Sequence, residues 1–148
     1  MNHELEVLLT RLRENKGQLP TGEEATCQGV VLPILGKLGW DRDNVFEVIP
    51  QFQIGLDRVD YCLKGNNKAC VFIEVKKYGE QLDAHQEQLL KYAFKQSVSL
   101  AVLTNGSAWW FYLPSLEVPW EQRKFYAIDI LEQELDHIVK SFGRNLIA

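Results

Sequence analysis

Two apolar runs, joined by one short helical segment, restrict this chain more than any other feature. Cys70-Val-Phe-Ile leads into Glu74-Val-Lys76, and Ser99-Leu-Ala-Val-Leu-Thr104 follows after helical spacing over residues 83–95. A strand buried on both faces, a helix and a second fully apolar strand make a crossover to a parallel neighbour. That connection predicts an α/β fold with a mixed central sheet.

The remaining elements fit around this unit. Leu5, Leu8, Leu9 and Leu12 repeat at i, i+3, i+4, i+7 and predict an amphipathic helix over 3–15, ended by Gly17-Gln-Leu-Pro20. Thr21-Gly-Glu-Glu24 reads as a capping box for a second helix. Its stripe of Cys27, Val30, Val31, Ile34, Leu35 and Leu38 runs to Gly39. Pro33 lies inside that stripe and is expected to kink the helix or limit its regular part. Residues 45–49, 58–64 and 69–76 read as a strand meander. Asn105-Gly106-Ser107-Ala108 is a hairpin signal between the apolar strand and Trp109-Trp-Phe-Tyr112. A last strand over 124–128 and a closing helix over 131–142 complete a single domain, 1–148. It divides into an N-terminal helix (1–20), a core (21–112) and a closing strand and helix (113–148).

At 148 residues, 46% apolar and 24% charged, the composition is that of a soluble globular domain. No apolar run reaches bilayer length, and the opening Met1-Asn-His-Glu-Leu-Glu lacks an export leader, so a cytoplasmic protein without membrane partners is expected. Cys27, Cys62 and Cys70 have no CxxC spacing, and His3, His85 and His137 do not complete a zinc pattern. Buried or half-buried thiols in a reducing compartment are the expectation. Net charge is −4, against the grain for a nucleic-acid binder. Its distribution softens the conflict: residues 56–95 carry 7 basic and 6 acidic side chains, against 5 and 8 in 1–55 and 4 and 6 in 96–148.

The candidate site falls in that least acidic stretch. Asp60 lies on one strand of a predicted hairpin, Glu74 and Lys76 on the other. With a three-residue loop (Asn66, Asn67, Lys68), Gly65 faces Ala69 and Asp60 lies opposite Glu74, with Cβ atoms about 5 Å apart. A two-residue loop would instead set Asp60 against Ile73 and send the two acids to opposite faces. Paired carboxylates at the first spacing repel unless a hard divalent cation sits between them. Lys76 shares the face of Glu74. A bare Glu-x-Lys tripeptide more often marks a solvated strand face, but Glu74 ends a run that should be buried, where an unpartnered carboxylate is expensive. Gln88 and Tyr92 stack one turn apart on the following helix, with His85 nearly on the same face.

Together these residues resemble the PD-(D/E)xK nucleases and, more narrowly, the N-terminal nuclease domain of type I restriction-enzyme R subunits, over about residues 21–135. The marks are Glu24-Ala-Thr, Leu32-Pro-Ile-Leu-Gly-Lys-Leu-Gly-Trp40-Asp41, Arg58-Val-Asp60-Tyr, Ile73-Glu74-Val-Lys76-Lys77, Gln88-Leu-Leu-Lys-Tyr92 and Leu103-Thr-Asn-Gly106 with Trp109 or Trp110. The resemblance implies a restriction-endonuclease-like αβββαβ core and Mg²⁺-dependent cleavage of DNA, with Mn²⁺ as a substitute ion. It implies Asp60 and Glu74 as metal ligands, the Val75 carbonyl as a third, and Lys76 beside the attacking water or the phosphate. Gln88 and Tyr92 match a QxxxY motif that positions DNA. An acidic residue on the N-terminal helix is also implied; Glu24 matches best and Glu23 second, although Glu24 equally fits the capping box. Unlike full R subunits, this chain has no GxxxxGK[ST] loop. A free-standing relative, or a piece working with a separate translocase or specificity subunit, is expected.

A metal-dependent deoxyribonuclease in restriction-modification is the leading reading. A non-catalytic nucleic-acid-binding or protein-docking module is the alternative, and an RNA-processing nuclease shares the site. Finally, the period of two sends Trp109 and Phe111 to one face and Trp110 and Tyr112 to the other. With Trp120 nearby, an exposed aromatic patch would mark a homodimer; burial of the strand between helices is the other outcome.

Overall fold

The strands assemble in the order in which they are made. In the computed structural model, which describes residues 2–65 and 70–148, one sheet has the order β1-β2-β3-β4-β5-β6. The strands are β1 (Val48–Ile54), β2 (Asp57–Lys64), β3 (Cys70–Val75), β4 (Leu100–Thr104), β5 (Ala108–Tyr112) and β6 (Lys124–Asp129). Neighbours are antiparallel except β3 and β4, which are parallel, as the crossover required. A 3₁₀ turn (Asp83–His85) and helix α4 (Gln86–Lys95) carry the chain across. This is a mixed α/β architecture compatible with the restriction-endonuclease-like fold. The hairpin loop expected at Asn66-Asn67-Lys68 lies outside the described residues.

Helices cover both faces. On one side α1 (His3–Glu14), the second helical segment and α5 (Leu135–Asn145) pack Leu9, Leu35 and Phe142 against Ile73, Val102 and Trp109. On the other, Leu82, Leu89, Leu90 and Ala93 from the crossover cover Phe72 and Leu103. Each large side chain fully withdrawn from water contributes about 1.5–3 kcal/mol, so a strand such as β4 is held chiefly by these two layers.

The second helical segment shows how Pro33 is accommodated. It runs as α2 (Glu23–Thr26), a π-helical stretch (Cys27–Val31) and α3 (Leu32–Lys37), with Pro33 in the first turn of α3. The Leu32 N–H reaches back five residues to the Cys27 carbonyl. The wider turn relieves the clash of a proline ring with the carbonyl four residues earlier. The expected capping box does not form. Gly22, not Thr21, is the cap residue and makes no side-chain bond, while Thr26 Oγ1 donates to the Gly22 carbonyl at 2.8 Å.

Other boundaries also differ. Val45 and Phe46 are exposed rather than in a strand, because Asn44 Oδ1 accepts from Phe46 N–H and the Asn44 carbonyl from Val48 N–H, making a turn. The first strand therefore begins three residues later. The closing helix begins at Leu135, since Asp129 Oδ1 holds Leu131 N–H in the preceding turn. In β5, Trp109, Phe111 and Tyr112 are fully buried. Trp110 is half-buried, with Lys124 Nζ 3.7 Å from its ring centroid. Three of the four aromatics are thus buried, and the strand forms no exposed aromatic patch. Among the described residues no helix is long and apolar enough to cross a membrane.

Candidate functional site

The β2–β3 ladder stops where the acids begin. Its pairs run from Lys64↔Cys70 to Tyr61↔Ile73, and that register sets Asp60 opposite Glu74. Beyond Tyr61 the carboxylates replace the ladder. Asp60 N–H donates to Glu74 Oε1 at 3.1 Å, and Val75 N–H donates to Asp60 Oδ2 at 2.7 Å. Both acids therefore meet in the gap between the strand ends.

Glu74 is the more confined of the two, its side chain 22% exposed, with Lys76 Nζ 3.6 Å from Oε2. Burial, then the neighbouring charge of Asp60, pushes the Glu74 carboxyl up to about 7; Lys76 opposes the rise. Lys76 is fixed through its backbone, whose N–H donates to the Thr104 carbonyl at 2.8 Å. The parallel crossover thus locates the lysine as well as the glutamate.

Asp60 owes its position to a defect shared by β1 and β2. On β1, Val48 packs on the α1/α5 side and Ile49 on the α4 side, yet Phe52 and Ile54 also lie on the α4 side. The alternation changes phase between Ile49 and Phe52. On β2, Tyr61 and Leu63 belong to the α1/α5 side, but Val59 belongs to the α4 side. The pairs Pro50↔Tyr61 and Phe52↔Val59 keep a common register, and the pair between them, Gln51 and Asp60, is absent from the ladder. Gln51 has φ +50°, a left-handed conformation rare for a non-glycine residue in a strand, and its Nε2 donates to Asp60 Oδ1 at 3.4 Å. Both strands invert at the same point, so their register survives while Asp60 leaves the pleat. Gln51 was not expected from the sequence. The signal was present: Ile49, Phe52 and Ile54 break the two-residue period across Pro50-Gln51.

The other expected residues are distributed around this pair. Gln88 Nε2 donates to Tyr92 Oη at 2.8 Å, and the charge of Asp57, three residues before Asp60, acts on the Tyr92 hydroxyl. Desolvation, then the charge of Asp57, raises the Tyr92 phenol, with a smaller push from Glu74. His85 is engaged elsewhere, its Nε2 2.6 Å from Glu80 Oε2. Glu24 and Glu23 are exposed on the first turn of α2, and Glu24 Oε1 accepts from Gln28 at 3.1 Å. The charges of Glu24 and Asp60 both act on the buried Cys27–Tyr61 hydrogen-bonded pair. Desolvation pushes the Cys27 thiol up to about 12, so it stays protonated. Among the described residues no three His, Cys, Asp or Glu side chains converge as a metal cluster.

The donor set still fits a hard cation. Asp60 and Glu74 offer only oxygen: both Asp60 oxygens and Glu74 Oε1 accept one hydrogen bond each, Glu74 Oε2 is ion-paired to Lys76, and Mg²⁺ characteristically binds through one or two carboxylates while retaining waters. Asp60 and Glu74 are the residues that could hold such an ion.

The turn after β4 supports the site from behind. Asn105 Oδ1 accepts from Ser107 and Ala108 N–H, and Gly106 N–H donates to Thr104 Oγ1. Gly106 has φ +95°, and a Cβ there would meet Thr26 Cγ2 at 3.0 Å. The glycine lets the turn close on the second helical segment.

No curated protein and no solved structure matches the chain. The family model described as the type I restriction enzyme R protein N terminus matches residues 42–115, which include β1 to β5 with Asp60, Glu74, Lys76, Gln88 and Tyr92 but not Glu24. A match across half the chain, carrying the crossover and both acids, places this protein in the family of type I restriction enzyme R protein N-terminal regions.

Proposed function

We propose that this chain is a divalent-cation-dependent nuclease that hydrolyses DNA phosphodiester bonds. The reading is carried by one observation: Asp60 and Glu74 meet where their strands part, with Lys76 beside them. Two confined carboxylates with one lysine leave excess negative charge that a cation offsets; burial first, and the Asp60 charge second, raise the Glu74 carboxyl. Mg²⁺ would supply charge stabilisation at the scissile phosphate and ease deprotonation of the attacking water.

The chain's own groups do the rest. Asp60 and Glu74 provide the oxygen ligands and orient them through Val75 and Asp60 N–H. Lys76 places a positive charge beside the non-bridging phosphate oxygens, where charge grows as water adds to phosphorus and the bond to the departing sugar oxygen breaks. Gln88 and Tyr92, hydrogen-bonded to each other, form a polar rim that steers the strand across the pair. Family membership supports DNA as the substrate and assembly with other subunits, of the translocase or specificity kind.

Incubation with supercoiled plasmid DNA tests this. Nicking or linearisation is expected with Mg²⁺ or Mn²⁺, none with chelator, and none from Glu74→Gln with either ion. Cleavage of RNA but not DNA would reassign the substrate. Cleavage that persists in chelator would remove the cation from the reaction, and absent cleavage would leave a non-catalytic binding module.

A further inference from the structure

Beyond the acid pair, an open groove of about 1010 Å³ runs along the outer side of α4. It starts at Asp57, Gln88 and Tyr92 and extends past Lys91 and Phe94 to Trp120 and Arg123. Phe94 is 61% exposed in the middle of this wall, although the remaining apolar residues of α4 are buried. Arg123 is held above it: Nε donates to the Val118 carbonyl at 3.2 Å, and Cζ lies 5.9 Å from the Phe94 ring centroid. Lys91 and Lys95 line the same wall. The lining carries two acids, Asp57 and Glu87, against three cations.

We infer that this groove binds single-stranded DNA, one base stacking on Phe94 while Lys91, Lys95 and Arg123 take the flanking phosphates. The inference rests on the nuclease reading for its substrate class. Its reasons are local. An exposed aromatic ring among cations, inside a concave surface, has what an unpaired nucleotide offers partners for: a π face and a phosphate on each side. The groove lining also includes Asp57, which lies on β2 three residues before Asp60, so a strand seated in it leads toward the acid pair. A continuous duplex buries its base faces in its own stack and cannot present one to Phe94.

Fluorescence anisotropy with the full chain decides the matter, in Ca²⁺ to limit cleavage. The probes are a labelled oligothymidine of about 12 nucleotides and a duplex of the same length. Phe94→Ala is expected to weaken single-strand binding about tenfold or more, Phe94→Trp to preserve it, and Lys91→Glu with Lys95→Glu to weaken it and flatten its salt dependence. Duplex affinity should not respond to Phe94→Ala. Unchanged single-strand affinity in Phe94→Ala, binding confined to duplex, or preference for the matching RNA would overturn the proposal. The two readings fail separately: duplex cleavage without single-strand binding removes only the groove, and Phe94-dependent binding without cleavage removes only the nuclease.

Discussion

Gln51 stands opposite Asp60 in a left-handed backbone conformation, φ +50°, with its side-chain amide 3.4 Å from Asp60 Oδ1. The two residues form the gap at which β1 and β2 exchange faces together. Strain of this kind persists where surrounding structure enforces it, and here it delivers a carboxylate into the space between two strands.

Replacement of Gln51 therefore separates backbone from side chain. Gln51→Val, β-branched and ill suited to positive φ, is expected to lower stability by about 1–2 kcal/mol and to weaken cation binding. Gln51→Asn tolerates the conformation and should stay within about 0.5 kcal/mol of the parent. Urea denaturation measures both; equal stability of the valine variant would contradict the assignment.

Glu74 makes stability depend on pH in an unusual direction. Its folded carboxyl titrates near 7 rather than at the usual 4.5, so between those values the folded state holds more protons than the unfolded one. Stability from this group is full below about 4.5 and is lost as pH rises through about 7. Without divalent ions, the melting temperature of wild type relative to Glu74→Gln should fall between pH 5 and pH 8, a window taken from those two values. A difference that stays constant or rises over that window would refute the shift.

Lys76→Ala should keep the fold, because the residue is anchored through its backbone to Thr104 rather than by its ammonium group. Cleavage should drop by about 10²–10³, the scale of one preorganised charge at a reacting centre. Circular dichroism and plasmid nicking report the two halves, and a variant cutting at the parent rate would remove Lys76 from the chemistry.

Gly106→Ala meets both a positive φ and a side chain at 3.0 Å. A loss of about 1–3 kcal/mol is expected, and Thr26→Ala in the same chain should recover only the steric part. A double-mutant cycle that finds no coupling between the two positions would show that the contact is unimportant.

What the sequence disclosed followed from short-range periodicities. The opposition of Asp60 and Glu74 depended on one hairpin register, and Lys64↔Cys70 and Tyr61↔Ile73 carry that register. The parallel crossover was readable because two apolar strands flanked one helix. Local rules misled where a competing hydrogen bond prevailed. Asn44 drew Val45 and Phe46 into a turn, and Thr26 rather than Thr21 bonded the helix start. Misplacing the first strand also concealed Gln51, because its pairing with Asp60 is legible only once β1 reaches Ile54. The aromatic strand left two outcomes open, and burial by helices on both faces decided between them.

The central claim is that Asp60 and Glu74 jointly hold a divalent cation. Calorimetric titration of Mn²⁺ into the wild-type chain and into Asp60→Asn tests it most directly. Saturable binding to wild type and none to the variant, with both folded, is the predicted result. Equal binding by the two chains, or none by wild type, would contradict it.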